Sequence, residues 1–101
     1  MAGYVIFDIG PNDREAMKPY LETAFDTIAA SGGKIIVRTD KIDVREATHR
    51  GGWHPTRILI IEFPSVEAAR AWYESPAYQE ILPFRLEVGK DNMVIVDGVP
   101  S

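Results

Sequence analysis

The sequence predicts one small α+β domain, in which four antiparallel β-strands form a sheet with helices on one face, in the chain order βαββαβ. Two observations support this fold class. Short segments rich in Val, Ile and aromatic residues alternate with stretches whose apolar residues recur every three or four positions. The length of 101 residues leaves room for one hydrophobic core.

The first strand and the first helix follow from local patterns. Residues 4–9 (YVIFDI) predict a strand, and Asn12 with Glu15 has the spacing of a helix N-cap and its capping-box partner. The helix extends to Gly32-Gly33, and Pro19 within it predicts a kink or a late start. Its buried stripe comprises Met17, Tyr20, Leu21, Ala24, Phe25, Ile28 and Ala29.

The middle of the chain predicts two strands and a long loop. Residues 34–39 (KIIVRT) form the second strand, and the alternation in residues 42–45 predicts that it resumes after a bend at Asp40. Residues 47–55 (ATHRGGWHP) form a loop, and residues 57–63 (RILIIEF) form the third strand.

Two serines mark the starts of the remaining helical segments. Ser65 predicts an N-cap, and Ser75-Pro76 predicts a second start with proline at the first helical position, giving a segment that ends near Glu87. A turn at residues 91–92 and a last strand at residues 93–96 (MVIV) complete the order. The buried sides are predicted to comprise Ala68, Ala69, Trp72 and Tyr73, then Tyr78, Ile81, Leu82 and Arg85.

The last three strands lack the alternation expected of a sheet with one wet face. Residues 35–37, 58–61 and 93–96 place apolar side chains on both faces, although helices cover only one. Leaving about six of these side chains in water would lose on the order of 10 kcal/mol of the stabilisation that their burial would give. We therefore predict a homodimer that pairs two sheets face to face. The alternative is a monomer covered by its own C-terminal tail and residues 40–55.

Several motifs resemble a known family. They are Gly32-Gly33 with Val37-Arg38, Trp53-x-Pro55, Arg57, Glu62-Phe63-Pro64-Ser65 and Ala71-Trp72-Tyr73-x-Ser75-Pro76-x-Tyr78. Together they are similar to an uncharacterised bacterial family, domain of unknown function 1330, in the dimeric α/β-barrel superfamily. The resemblance implies a ferredoxin-like fold and pairing of two copies. The chain departs from the family pattern at Thr39-Asp40 and at residues 46–52, which puts in doubt any role of that turn in lining a cleft.

Three charged residues interrupt otherwise apolar strands. Arg38, Glu62 and Asp8 would be costly inside a sheet unless they are paired or contact a ligand. One interpretation is a structural ion pair across strands or across an interface. The other is a polar cluster in which Arg38 anchors a carboxylate ligand, Glu62 orients it or accepts a proton, and Asp8 is a third member.

The loop before the third strand carries both histidines. His54, beside Trp53, is the first candidate for an acid/base group because its ordinary pKa lies near neutrality. A plain surface imidazole is the alternative. His49 and His54 could hold a metal only if an acid such as Asp40, Asp43 or Glu46 folded in beside them, and no metal site is predicted.

Aromatic side chains on the helices have two interpretations. Tyr20, Trp72 and Tyr78 are candidate ligand-binding residues in a cleft between helices and sheet, although core packing is the simpler explanation. The predicted function is a small-molecule-binding dimer with a cleft edged by Arg38, His54, Glu62 and Tyr78. A cofactor-independent enzyme for a small organic acid or aromatic compound is the more specific form of this prediction. The alternatives are a non-catalytic sensor domain and a haem- or metal-dependent oxygenase.

The composition and charge of the sequence indicate which classes of partner to expect. No cysteine is present, and a net charge of −4 without a dense basic cluster makes nucleic acid an unexpected partner. No apolar run approaches the roughly 20 residues needed to cross a bilayer, and no leader-like segment begins the sequence. The cytoplasm is the predicted compartment, with no membrane contact and no cofactor.

Overall fold

The molecule consists of a helical layer on one side of a four-stranded sheet. In this computed structural model the described residues are 1–11 and 14–100. The elements are β1 Gly3–Ile9, α1 Arg14–Ala30, β2 Lys34–Thr39, β3 Arg57–Phe63, α2 Val66–Glu74, α3 Pro76–Val88 and β4 Asp91–Asp97. The sheet order is β2-β3-β1-β4, and every neighbouring pair is antiparallel. The predicted α+β fold with a four-stranded antiparallel sheet is confirmed.

The two predicted serine caps are present. The Ser65 side chain accepts a hydrogen bond from the Ala68 amide at 3.0 Å, and the Ser75 side chain accepts one from the Tyr78 amide at 3.3 Å. Each cap satisfies a backbone donor that has no partner within its helix. The break between α2 and α3 therefore follows from a serine followed by a proline, as predicted.

Helix α1 does not start late. It begins at Arg14 and continues through Pro19, which is exposed on the solvent side, where water can replace the backbone donor that proline lacks. The predicted cap residues Asn12 and Asp13 lie outside the described residues.

The prediction that the second strand resumes at residues 42–45 is wrong. Residues 41–48 have no regular secondary structure, and the ladder between β2 and β3 ends at the pair Thr39 and Ile58. Because β3 begins at Arg57, no strand lies opposite the predicted extension, and an unpaired strand is not stable by itself.

The last strand begins two residues earlier than predicted. Asp91 pairs with Ile9, and the Gly10 amide donates to the Lys90 carbonyl at 3.0 Å, so the chain turns at Gly89 and Lys90. The predicted turn at residues 91–92 is therefore wrong. The earlier start fixes the Asp91 side chain on the helix-covered face of the sheet, next to α3.

A β-bulge decides which face Arg38 occupies. In the ladder between β2 and β3, Ile35 pairs with Ile61, but the next partners are Val37 and Ile60, so Ile36 is an extra residue. A bulge shifts the alternation of side chains by one position. Arg38 consequently shares the helix-covered face with its partner Leu59, where a regular strand would have placed it on the other face.

The uncovered side of the sheet, called the open face, is largely apolar. Val94 and Val96 are 53% and 38% exposed there. The C-terminal tail does not cover them, since Val99 is 90% exposed, and residues 43–53 are exposed as well. The aliphatic residues of the open face, assigned by strand register, are Ile6, Val37, Ile58, Ile60, Val94 and Val96. In the described part of the chain the tail and the loop therefore leave Val94 and Val96 on this face exposed.

Candidate ligand-binding site

A cavity lies between helices α1 and α3 and the covered face of the sheet. It has a volume of about 200 Å³. Its apolar walls are Phe7, Ile9, Met17, Leu21 and Leu59, and its polar lining consists of Tyr20, Arg38, Arg57, Arg85 and Asp91. Small-molecule sites in proteins have this combination of apolar walls and a few convergent polar groups.

Arg38 and Arg57 occupy one side of this cavity. Arg38 is held by the β2 bulge, and its guanidinium lies 5.3 Å from the centre of the Phe25 ring on α1, a cation–π arrangement. Arg57 is the first residue of β3 and is half-buried. Both arginines also line a shallow outer groove with Lys41 and Asp40, which places the mouth of the cavity in a basic environment.

Arg85 and Asp91 form a buried ion pair on the opposite side. Arg85 Nη1 lies 3.6 Å from Asp91 Oδ2, and their side chains are only 6% and 4% exposed. Arg85 Nε and Asp91 Oδ1 are buried and have no hydrogen-bond partner among the described residues. Burial raises the pKa of Asp91 above its ordinary value, although the charge of Arg85 and the Gly10 amide act against the rise.

Two tyrosines connect this ion pair to the helices. The hydroxyl oxygens of Tyr20 and Tyr78 are 2.7 Å apart and buried. Burial raises the pKa of both tyrosines, so both stay protonated at neutral pH. Tyr20 lines the cavity, whereas Tyr78 lies behind it and is fully buried. A protonated Tyr20 can therefore donate a hydrogen bond to a ligand.

Trp72 holds Tyr78 in place from the core. Its ring centre is 4.3 Å from that of Tyr78, and its Nε1 donates to the Thr27 hydroxyl at 3.0 Å. The indole is 1% exposed. In this structure Trp72 therefore contacts core side chains and does not line the cavity. Trp72 would influence a ligand only by positioning Tyr78.

The cavity differs electrostatically from the rest of the chain. The protein carries a net charge of −4, yet among the residues that the structure describes three arginines and one carboxylate line this space. The walls between them are apolar, which lowers the local dielectric and strengthens charge interactions. The arrangement can bind an anion that carries an apolar body.

The three charged strand residues do not form one polar cluster. Arg38 is on the covered face, whereas Asp8 and Glu62 are on the open face, opposite Ile58 and Tyr4 respectively. Because these partners are four residues apart along the strand, Asp8 and Glu62 are also far from each other. The prediction that Arg38, Glu62 and Asp8 lie together in one polar cluster is therefore wrong.

Each of the open-face acids has its own partner. The Tyr4 hydroxyl donates to Glu62 Oε2 at 3.2 Å, and that contact raises the pKa of Tyr4. Trp53 Nε1 donates to Asp8 Oδ2 at 2.9 Å, which attaches the long loop to the sheet. His54 follows in that loop and is exposed. The catalytic roles of His54 and Glu62 and the ligand role of Asp8 stay predictions.

Sequence patterns missed three of the cavity residues. In the sequence Arg57 stands out only as a motif residue, Arg85 only as a member of a buried helix face, and Asp91 only as part of a predicted turn. A buried arginine on the apolar face of α3 needs a nearby acid, and this requirement could have indicated Asp91, six residues later. No group of three His, Asp or Glu side chains suited to a metal occurs among the residues that the structure describes.

A family model of the domain of unknown function DUF1330 matches residues 2–99. The chain belongs to the DUF1330 family. The family resemblance predicted from the sequence motifs is thereby confirmed. Among curated proteins, none is similar enough to count as a match.

Solved structures share the fold of this DUF1330 protein at low sequence identity. A protein of unknown function from Rhodopseudomonas palustris is 16% identical, with a TM-score of 0.75 over 99% of this chain and 84% of that one. A dimeric ferredoxin-like protein of unknown function from Jannaschia sp. CCS1 is 15% identical, with a TM-score of 0.65 over 97% of this chain and 100% of that one. The ferredoxin-like fold is thus established for this chain.

A further similar structure is described by its chemistry. SnoaB, a cofactor-independent oxygenase from Streptomyces nogalater, is 8% identical, with a TM-score of 0.59 over 99% of this chain and 93% of that one. At this identity the likeness extends only to the fold, which supports many unrelated functions. Among the described helices of the DUF1330 protein, none is both long and apolar enough to span a bilayer.

Proposed function

We propose that this DUF1330 protein is a homodimer that binds a small organic anion in the cavity between helices and sheet. The observation that carries the proposal is that Arg38 and Arg57 lie together at one side of a largely apolar cavity in an acidic chain. Guanidinium groups bind carboxylates through paired, charge-assisted hydrogen bonds. A carboxylate is therefore the proposed anionic group.

The volume and the apolar walls of the cavity indicate the size and character of the rest of the ligand. The cavity volume of about 200 Å³ is below the roughly 300 to 1,000 Å³ typical of sites for drug-sized molecules. Phe7, Leu59 and Met17 give it a flat apolar lining. An acid with an aromatic or similarly compact apolar body fits these dimensions, in agreement with the ligand class predicted from the sequence.

Pairing through the open face supports the homodimer. Val94 and Val96 on this face are exposed, and an apolar patch of this kind on a small domain favours association. The Jannaschia structure is described as dimeric, and its fold is the same. Two sheets paired across a two-fold axis would form the dimeric α/β barrel that the family resemblance implies. The cytoplasm stays the predicted compartment.

A cofactor-independent enzyme is the more specific candidate within this proposal. Tyr20 lines the cavity and can donate a hydrogen bond to a bound acid, and Asp91 can accept a proton. SnoaB shows that this fold can support cofactor-independent chemistry. A non-catalytic sensor would use the same cavity, and conversion of a bound acid would separate the two hypotheses.

Calorimetric titration of the purified dimer with a panel of small carboxylic acids tests the proposal. Arg57→Gln should weaken binding of every acid about tenfold or more, because it removes a charge-assisted contact. The matched control is Arg70→Gln on α2, an exposed arginine outside the cavity, which should leave affinity unchanged. If no acid binds, or if both variants weaken binding equally, the proposal is wrong.

A further inference from the structure

The cavity is polar at two separate ends. Ile9 in β1 pairs with Arg57 on one side and with Asp91 on the other, so these three residues form a row across the sheet. Neighbouring strands are about 4.8 Å apart, which separates the Cα atoms of Arg57 and Asp91 by roughly 10 Å. Arg38, on the next strand beyond Arg57, extends the basic end, and apolar side chains occupy the middle.

The end opposite these two arginines has unused hydrogen-bonding capacity. Arg85 Nε is a donor and Asp91 Oδ1 is an acceptor, and both atoms are buried without a partner within the described residues. A buried polar group without a hydrogen-bond partner destabilises the folded state. Both residues line the cavity, so its inner end is where a ligand group would supply the missing partners.

The unpaired donor and acceptor favour a neutral ligand group that both donates and accepts, and a hydroxyl is the smallest such group. A second carboxylate would be repelled by Asp91, and an ammonium would be repelled by Arg85, whose Nη1 is 3.6 Å from the same aspartate. A hydroxyl both donates and accepts, so one such group can donate to Asp91 Oδ1 and accept from Arg85 Nε. It adds no charge to the buried pair.

We infer that the ligand is a hydroxy acid that spans the cavity, with its carboxylate at Arg38 and Arg57 and its hydroxyl at the Arg85–Asp91 pair. The inference rests on the proposed anion site and adds the second recognition point and its chemistry. A flat apolar body lies between the two groups, over Ile9. The two groups are therefore at opposite ends of the molecule rather than on neighbouring atoms.

Calorimetric titration with four phenylacetates tests this inference on the unaltered dimer. Para-hydroxyphenylacetate should bind about tenfold more tightly than phenylacetate, the gain of one hydrogen bond to a charged partner. Para-methoxyphenylacetate cannot donate, and ortho-hydroxyphenylacetate places its hydroxyl beside the carboxylate, so both should lack the gain.

Two variants test which residues produce the higher affinity for para-hydroxyphenylacetate. Asp91→Ala should bring the affinity ratio of para-hydroxyphenylacetate to phenylacetate close to one, whereas Arg57→Gln should weaken both acids equally and keep the ratio. If Asp91→Ala does not fold, the ligand series on the unaltered protein decides alone.

The possible outcomes distinguish the inferred hydroxy-acid ligand from the proposed anion site on which it rests. Binding of all four acids with equal affinity would overturn the inference and leave the anion site standing. A gain that survives in folded Asp91→Ala would also overturn it. If none of the four acids binds while other carboxylates do, the hydroxy-acid geometry is wrong. If no carboxylate binds at all, both fail.

Discussion

Arg85 and Asp91 form a buried ion pair across a two-residue turn, with Nη1 3.6 Å from Oδ2. The pair joins the last turn of α3 to the first residue of β4. Gly89 leaves the necessary room, since a Cβ at that position would lie 2.8 Å from the Arg85 carbonyl oxygen and 3.2 Å from Asp91 Oδ2. The turn between α3 and β4 and the inner end of the cavity are therefore one structural unit.

Removing either partner of the Arg85–Asp91 pair should destabilise the fold. Arg85→Met or Asp91→Asn leaves an uncompensated buried group, and we expect each to lower the free energy of unfolding by about 3 kcal/mol. The double variant should cost at least 1 kcal/mol less than the sum, because neither group is then stranded. Urea denaturation of the four proteins measures this coupling.

The exposed pair of Arg45 and Asp43 is the matched control for that cycle. Its nitrogen and oxygen are closer, at 2.9 Å, but the side chains are 83% and 73% exposed. Arg45→Met should change the unfolding free energy by less than about 0.5 kcal/mol. Additive effects at Arg85 and Asp91 would show that the two side chains do not act as a pair.

Asp91 should make the protein less stable as pH rises from the acid side. Burial raises its pKa in the folded state, so the folded protein holds the proton more tightly than the unfolded chain does. That stabilisation is complete below the unfolded pKa of about 3.9 and is lost as pH rises through the higher folded value. The unfolding free energy of the native protein minus that of Asp91→Asn should therefore decrease from pH 3 to neutrality.

Substitution of Arg85, the ion-pair partner of Asp91, tests the cause of this pH dependence. Arg85 acts to lower the pKa of Asp91, so Arg85→Met should move the decrease to higher pH. A difference that instead increases with pH would mean that the ion pair outweighs the cost of burial.

The buried tyrosines should destabilise the fold at alkaline pH. Burial raises the pKa of Tyr20 and Tyr78, so their stabilising contribution is present below the ordinary tyrosine pKa of about 10 and is lost above it. Tyr78→Phe should make the decline of Tm above pH 10 shallower. Tyrosinate absorbance checks the cause, because these two side chains should ionise only as the protein unfolds.

Local chemistry explains why much of the fold was predictable. The serine caps of α2 and α3 depend on residues within three positions, and the strands follow from short apolar runs. The cavity depends on non-local facts. The bulge at Ile36 changes the face of Arg38, and the contact of Arg85 with Asp91 requires β4 to start two residues early. Neither fact changes composition or periodicity enough to be seen in the sequence.

A charge on the open face should separate the proposed homodimer. Val94 is 53% exposed on that face, and Val94→Glu would place a carboxylate in an apolar interface, where an unpaired charge costs several kcal/mol. Leu86→Glu on α3, at a 64% exposed position on the helical side, is the control. Sedimentation should show twice the 11.3 kDa chain mass for the native protein and for Leu86→Glu, and a single chain for Val94→Glu. A native protein that sediments as one chain at micromolar concentration would contradict pairing through this face, and its apolar side chains would then need another partner.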